Sequence, residues 1–172
     1  MSALVRSPWT TCSRAAANIP RSTSGWDGGK KAGGRKRHMV VDCPGLVLAV
    51  TVTAAGVRDR DAAVPLLERL RAMYFSIRLV GADGGYAGRL VDWAREKLRL
   101  TLEIVQRSDA TAGFVVLPRR WAVERTLSRL MRSRRLVRDY ETPPAMHEAM
   151  VMSDRLARRR PDARSRPASR TG

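Results

Sequence analysis

The alternation of short apolar runs with helical stripes constrains this chain most. Leu46 to Thr53 (Leu-Val-Leu-Ala-Val-Thr-Val-Thr) reads as a mostly buried strand. Met39-Val40-Val41 reads as a shorter strand, and Asp42-Cys43-Pro44-Gly45 between the two reads as a turn, which predicts an antiparallel hairpin. Asp59 or Asp61 then caps a helix to about Met73, with Ala63, Leu66, Leu67, Leu70 and Met73 at helical spacing. Pro65 places the start of that helix nearby or bends it. Ile77 to Ala82 is a second core strand, Asp83-Gly84-Gly85-Tyr86 a tight turn, Ala87 to Lys97 a helix and Leu100 to Val105 a third core strand. Beyond a loop from Ser108 to Gly113, Phe114 to Leu117 is a short apolar run stopped by Pro118. A long helix starts near Arg119 or Trp121 and runs to about Tyr140, and Met146 to Ala157 adds a last one. Hairpin, helix, strand, helix, strand, helix is an α/β pattern with a mixed sheet.

The two ends read differently. Residues 1–35 have no sustained periodicity and are rich in Ser, Thr, Gly and Ala, so a poorly structured segment is expected there. Residues 158–172 are Arg-, Pro- and Ser-rich and read as a disordered basic tail. Residues 36–157 remain as one folded domain, in keeping with a chain of 172 residues.

Charge narrows the partners. The chain holds 33 Lys+Arg against 16 Asp+Glu, a formal net charge of +17, which makes nucleic acid the first partner to consider. Of these basic residues 29 are Arg and 4 are Lys, so a GC-rich genome is an alternative source of the excess. No apolar run approaches the ~20 residues that span a bilayer, which argues against a membrane partner. The first residues lack a signal-peptide core, and Cys12 and Cys43 are too few for a disulfide framework, so a cytoplasmic setting is expected. There is no Gly-x-x-x-x-Gly-Lys-Ser/Thr loop and no Gly-x-Ser-x-Gly elbow, and His38 and His147 do not stand at zinc-ligand spacing.

Two carboxylates stand out. Asp83 follows an apolar strand, where ligand sites of open α/β sheets lie, and Gly84 and Gly85 leave room for a metal or a phosphate. An Asp in a Gly-rich turn is the plainer account. Glu124 lies in line with Leu127 and Met131 on the last long helix, and a carboxylate on an inward stripe needs a partner or a metal. Arg120 is one turn earlier, and an exposed ion pair is the plainer account. Arg119, Arg120 and Arg125 make the surroundings of Glu124 basic and suited to DNA phosphates. Lys30, Lys31, Arg35, Lys36 and Arg37 form a second basic cluster, read equally as a phosphate contact or a solvated loop. Carboxylates on separate elements of an α/β core can hold two divalent ions for phosphoryl transfer, for which Mg²⁺ is well suited.

These residues resemble a known family. Gly34-Arg35-Lys36-Arg37-His38-Met39-Val40-Val41-Asp42, Val57-Arg58-Asp59-Arg60-Asp61-Ala62-Ala63, Ala82-Asp83-Gly84-Gly85-Tyr86-Ala87-Gly88 and Pro118-Arg119-Arg120-Trp121-Ala122-Val123-Glu124-Arg125-Thr126 are similar, in order, to motifs of bacterial insertion-sequence DDE transposases of the insertion sequence four/five group. The resemblance implies a ribonuclease H-like mixed sheet flanked by helices, and Mg²⁺- or Mn²⁺-dependent DNA strand cleavage and joining at insertion-sequence ends and target DNA. It implies that Asp83 and Glu124 are the second and third catalytic metal ligands and that Arg120 holds DNA phosphate. It also implies a nucleoid-associated location, and a homo-oligomer stays open.

One motif of the family is not found. Its first catalytic Asp lies in an apolar-apolar-Asp-Ser pattern on the first core strand, a position that falls near Trp9, and no Asp precedes Asp27. Arg6 and Pro8 argue against a central strand there, so the first strand is expected to be incomplete. A frameshift or truncation upstream of about Arg14 accounts for this. Asp42 is a substitute ligand only in principle, since it sits at the hairpin turn. The expected function is that of a transposase catalytic-domain fragment, inactive alone; the alternative is a non-catalytic basic DNA-binding protein derived from one.

Overall fold

The computed structural model describes residues 6–14, 19–29, 31–105, 120–137 and 141–158. Six strands and five helices make up the described fold: β1 (Arg6–Arg14), β2 (Gly25–Asp27), β3 (Ala32–Val41), β4 (Val47–Ala54), α1 (Asp59–Met73), β5 (Leu79–Asp83), α2 (Arg89–Leu98), β6 (Thr101–Val105), α3 (Arg120–Arg132), α4 (Arg134–Val137) and α5 (Pro144–Arg158). Short 3-10 turns occupy Arg21–Thr23 and Gly84–Tyr86.

The sheet is mixed. β4 pairs β3, and β3 pairs β1, in antiparallel fashion, while β1, β5 and β6 run parallel to one another; β2 adds a short antiparallel pairing to the start of β3. Antiparallel on one side of β1 and parallel on the other, this order is that of a ribonuclease H-like fold.

β1 corrects the sequence expectation. Residues 1–35 hold a nine-residue strand, a 3-10 turn and β2, and β1 lies in the middle of the sheet. Pro8 is tolerated because pairing with β3 runs from Trp9 to Arg14, whereas Arg6, Ser7 and Pro8 pair with β5. The missing amide of Pro8 therefore falls outside the antiparallel ladder. Both neighbours supply backbone partners, and this holds the segment extended although it lacks apolar alternation.

β3 sorts its side chains by the twofold strand period. Met39 and Val41 join a core with Val47, Val50, Ala122, Leu130 and Val151, beneath α3–α5. Val40 joins the opposite core with Leu48, Leu66, Leu67, Leu70, Val80 and Leu90, beneath α1 and α2. The hairpin, α1, β5, α2 and β6 thus stand close to where periodicity puts them.

Three boundaries differ. Asp59 and Asp61 occupy the first turn of α1, where they complement the helix dipole, while Arg58 is the N-cap. Pro65 lies inside α1 on its exposed side, and the helix continues through it. The expected single helix to Tyr140 breaks at Ser133 into α3 and α4, which lets Leu136 join Leu130 in the core. The run Phe114–Leu117 and the tail from residue 159 lie outside the described residues.

Candidate active site

Asp83 is the last residue of β5, and its exposed carboxylate caps the turn that follows: Oδ1 accepts from the Gly85 amide at 3.0 Å. The turn is held at two further points. Arg60 Nε donates to the Gly85 carbonyl at 3.2 Å. Tyr86, fully buried, places its hydroxyl 3.3 Å from His38 Nδ1, and His38 Nε2 lies 3.1 Å from Thr53 Oγ1. The turn carrying Asp83 is therefore tied to β3 and β4 through a buried polar chain, which fixes where its carboxylate stands.

A second carboxylate faces the same turn. A Cβ placed on Gly85 would lie 3.1 Å from Asp83 Oδ1 and 3.8 Å from Asp59 Oδ2, so Asp59 and Asp83 flank one glycine. Asp59 Oδ1 accepts from Lys36 Nζ at 3.2 Å, and Lys36 also pairs with Asp27 Oδ2 at 3.1 Å and donates to the Val57 carbonyl at 3.2 Å. Burial works to lower the Lys36 pKa, but the hydrogen bonds it donates to Asp27 and Asp59 and their charges outweigh it, and the pKa is raised above its ordinary value. Sequence reading gives Asp59 only as a helix cap within the Val57–Ala63 motif and assigns Asp27 no role. The available signal is the first-turn position of Asp59, which aims its carboxylate at whatever packs on that helix end.

The parallel register locates the β1 position beside Asp83. Arg6 pairs with Leu79, Ser7 with Val80 and Pro8 with Gly81. The same offset continued two residues brings Thr10 level with Asp83 and Trp9 level with Ala82. No residue of β1 carries a carboxylate.

Glu124 stands on α3, and its side chain is exposed. The inward face of α3 is Ala122, Val123, Thr126 and Leu130, with Leu127 half-buried and Met131 exposed. The stripe expected to run inward through Glu124, Leu127 and Met131 is thus rotated outward. α3 is anchored on the hairpin turn: the Thr126 hydroxyl lies 2.6 Å from the Gly45 carbonyl and 2.8 Å from that of Ala122. Gly45 has φ +86°, and a Cβ there would stand 2.8 Å from Thr126 Oγ1, so this position requires glycine. Asp42 closes the same turn by accepting from the Leu46 amide at 2.6 Å, a structural task just beyond the last residue of β3.

The basic residues divide. Arg35, Lys36 and Arg37 are buried on β3. Arg35 donates to the backbone carbonyls of Thr23, Glu141 and Thr142 and to the Thr23 hydroxyl, tying two distant segments together. Lys36, on the opposite face of β3 from Arg35 and Arg37, is held by Asp27 and Asp59 where it lines the cavity beside Asp83. Lys31 and Arg125 are exposed. Arg120 opens α3, and Lys30 and Arg119 lie outside the described residues. Beside Asp83, an open cavity of about 970 Å³ separates the start of α1 from the start of α2.

No curated protein matches this chain. Among solved structures it is similar to the Mos1 strand transfer complex, at 18% identity over 89% of this chain and 55% of that chain with a TM-score of 0.34. It is also similar to a pre-cleavage Mos1 transpososome, at 14% identity over 89% of this chain and 56% of that chain with a TM-score of 0.36. The chain spans about half the length of these solved relatives. With a carboxylate at the end of β5, another on the helix that packs across β1 and β3, and a match to the Transposase DDE domain over residues 6–157, the chain belongs to that family.

Proposed function

We propose that this chain acts on DNA as the catalytic-domain portion of an insertion-sequence transposase, at element ends and target DNA, and that it has little strand-transfer activity by itself. Asp83 and Glu124 are the metal-ligand candidates, and Lys30, Lys31, Arg119, Arg120 and Arg125 the phosphate contacts. A nucleoid location and self-association accompany this reading. Among the described residues no helix is long and apolar enough to cross a membrane.

The observation that carries the loss of activity is the β1 register. A third carboxylate beside Asp83 belongs at Trp9 or Thr10, and neither residue supplies one. Among the described residues no group of three or more His, Cys, Asp or Glu side chains is gathered for a metal ion. The described residues thus fall short of a complete Mg²⁺ or Mn²⁺ site. The same observation supports a second reading, a transposase-derived protein that binds DNA without cutting it.

A strand-transfer assay with Mg²⁺ or Mn²⁺ on DNA carrying matching terminal repeats tests the first reading. The expected result is little or no product, and robust product overturns the loss of activity. Trp9→Asp and Thr10→Asp, each tried alone, are expected to restore metal-dependent nicking in one of the two, and Asp83→Asn or Glu124→Gln in that background to remove it. Salt-sensitive DNA binding with no nicking by either variant favours the binding-only reading.

A further inference from the structure

The cavity beside Asp83 has a lining that the catalytic reading does not use. Arg58, Arg60 and Arg89 stand at its rim, Trp93 and Leu90 at its wall, and Gly85 on the side of Asp83. Arg58 and Arg89 are exposed and make no ion pair among the described residues, whereas Lys36, Arg69 and Arg135 are paired. Across the lining, Lys36, Arg58, Arg60 and Arg89 stand against Asp59 and Asp61, so the lining is net positive.

The surrounding backbone favours an anion as well. α1 and α2 both begin at this cavity, and neither Arg58 nor Gly88, their N-caps, provides a side-chain acceptor for the first amides. Gly85, which has no side chain, forms the wall nearest Asp83. Trp93 is half-buried against the core, which holds its ring in place as one wall.

We infer that this cavity binds single-stranded DNA, with a base against Trp93 and its phosphates at Arg58, Arg60 and Arg89; this rests on DNA being the chain's substrate. A duplex presents its phosphates on a convex rod with its bases stacked inside, so it tracks a surface and does not fill a cleft between two helix ends. A single strand has free ring faces for an aromatic wall and a backbone that follows a basic rim. The cavity adjoins Asp83, where an unpaired strand next to a cleavage point would lie.

The test measures binding of the full chain by fluorescence anisotropy to a labelled oligothymidylate of about eight nucleotides. A duplex closed at both ends by hairpin loops and an oligouridylate are the comparison ligands. Arg58→Ala/Arg89→Ala is expected to weaken oligothymidylate binding about tenfold and to lower the salt slope by about 1.4, two phosphates' worth. Removing two exposed arginines elsewhere, Arg78→Ala/Arg95→Ala, is expected to change it less than about twofold. Trp93→Phe, which keeps a ring in the core, is expected to lose most of the tryptophan quenching seen on oligothymidylate binding. Equal losses in the two double variants, equal losses on the closed duplex, tighter binding of oligouridylate, or no oligothymidylate binding each overturn the inference. The proposed action on DNA is judged separately, by nicking in the Asp-restored β1 variants.

Discussion

Lys36 shows how one residue can belong to a basic motif and yet serve the fold. Its ammonium lies between Asp27, which follows the 3-10 turn, and Asp59, which opens α1. Lys36→Met leaves two carboxylates facing each other without their cation. The expected loss is about 2–3 kcal/mol, the lower end for buried pairs because Asp59 keeps some contact with solvent. The pKa of Lys36 is raised in the folded state, so its contribution is whole below the unfolded value of 10.5 and disappears as pH rises through the folded value. Urea midpoints of the parent and Lys36→Met should therefore differ by a constant amount from neutral pH to about pH 10 and converge above it. A gap that closes below pH 9 contradicts this account.

At the scale of elements, the open side of β4 is closed by side chains. Val52 donates its amide to Glu148 Oε1 of α5 at 2.8 Å, and Arg69 of α1 donates to both the Val50 carbonyl and Glu148 Oε2 at 2.7 Å. A strand paired on one side only is a template for another chain unless something covers it. Glu148→Ala should cost about 1–3 kcal/mol through the unsatisfied Val52 amide. It should also raise aggregation on mild heating, measured by light scattering; unchanged scattering at equal stability argues against an edge-protecting role. The hairpin β3–β4, α1, β5, α2 and β6 are legible in the sequence because each carries its own period. β1 is not, since Arg-Ser-Pro-Trp-Thr-Thr-Cys-Ser-Arg has no apolar alternation and is made a strand by its neighbours. The burial of Arg35 is equally hidden, because its acceptors at Glu141 and Thr142 come from the far end of the chain. Asp83 was readable as a strand-end carboxylate. The approach of Asp59 was not, since it depends on how α1 meets the Gly85 turn.

The described residues form one sheet with a core on each face. Leu67 lies in the core under α1 and α2, and Leu130 in the core under α3 to α5. Because β3 feeds side chains alternately to both, the two faces should unfold together. Leu67→Ala and Leu130→Ala are each expected to cost about 2–5 kcal/mol and to shift one shared transition. Two separable transitions in a calorimetric scan would show the faces to be independent. The net charge of +17 also changes meaning at this scale. Part of it, at Arg35, Lys36 and Arg37, is spent inside, and the arginines beside the cavity are among those left for a polyanion.

The place of β1 has a consequence in time. Its partners in the sheet are β3, which follows closely in the chain, and β5, which follows much later, with the β3–β4 hairpin and α1 in between. The hairpin can zip early, but β1 cannot be covered on its second side until Leu79, Val80 and Gly81 have been made. Closing that long interval costs chain entropy before any parallel pairing repays it. During synthesis the middle of the sheet therefore stays open along β1 until β5 arrives.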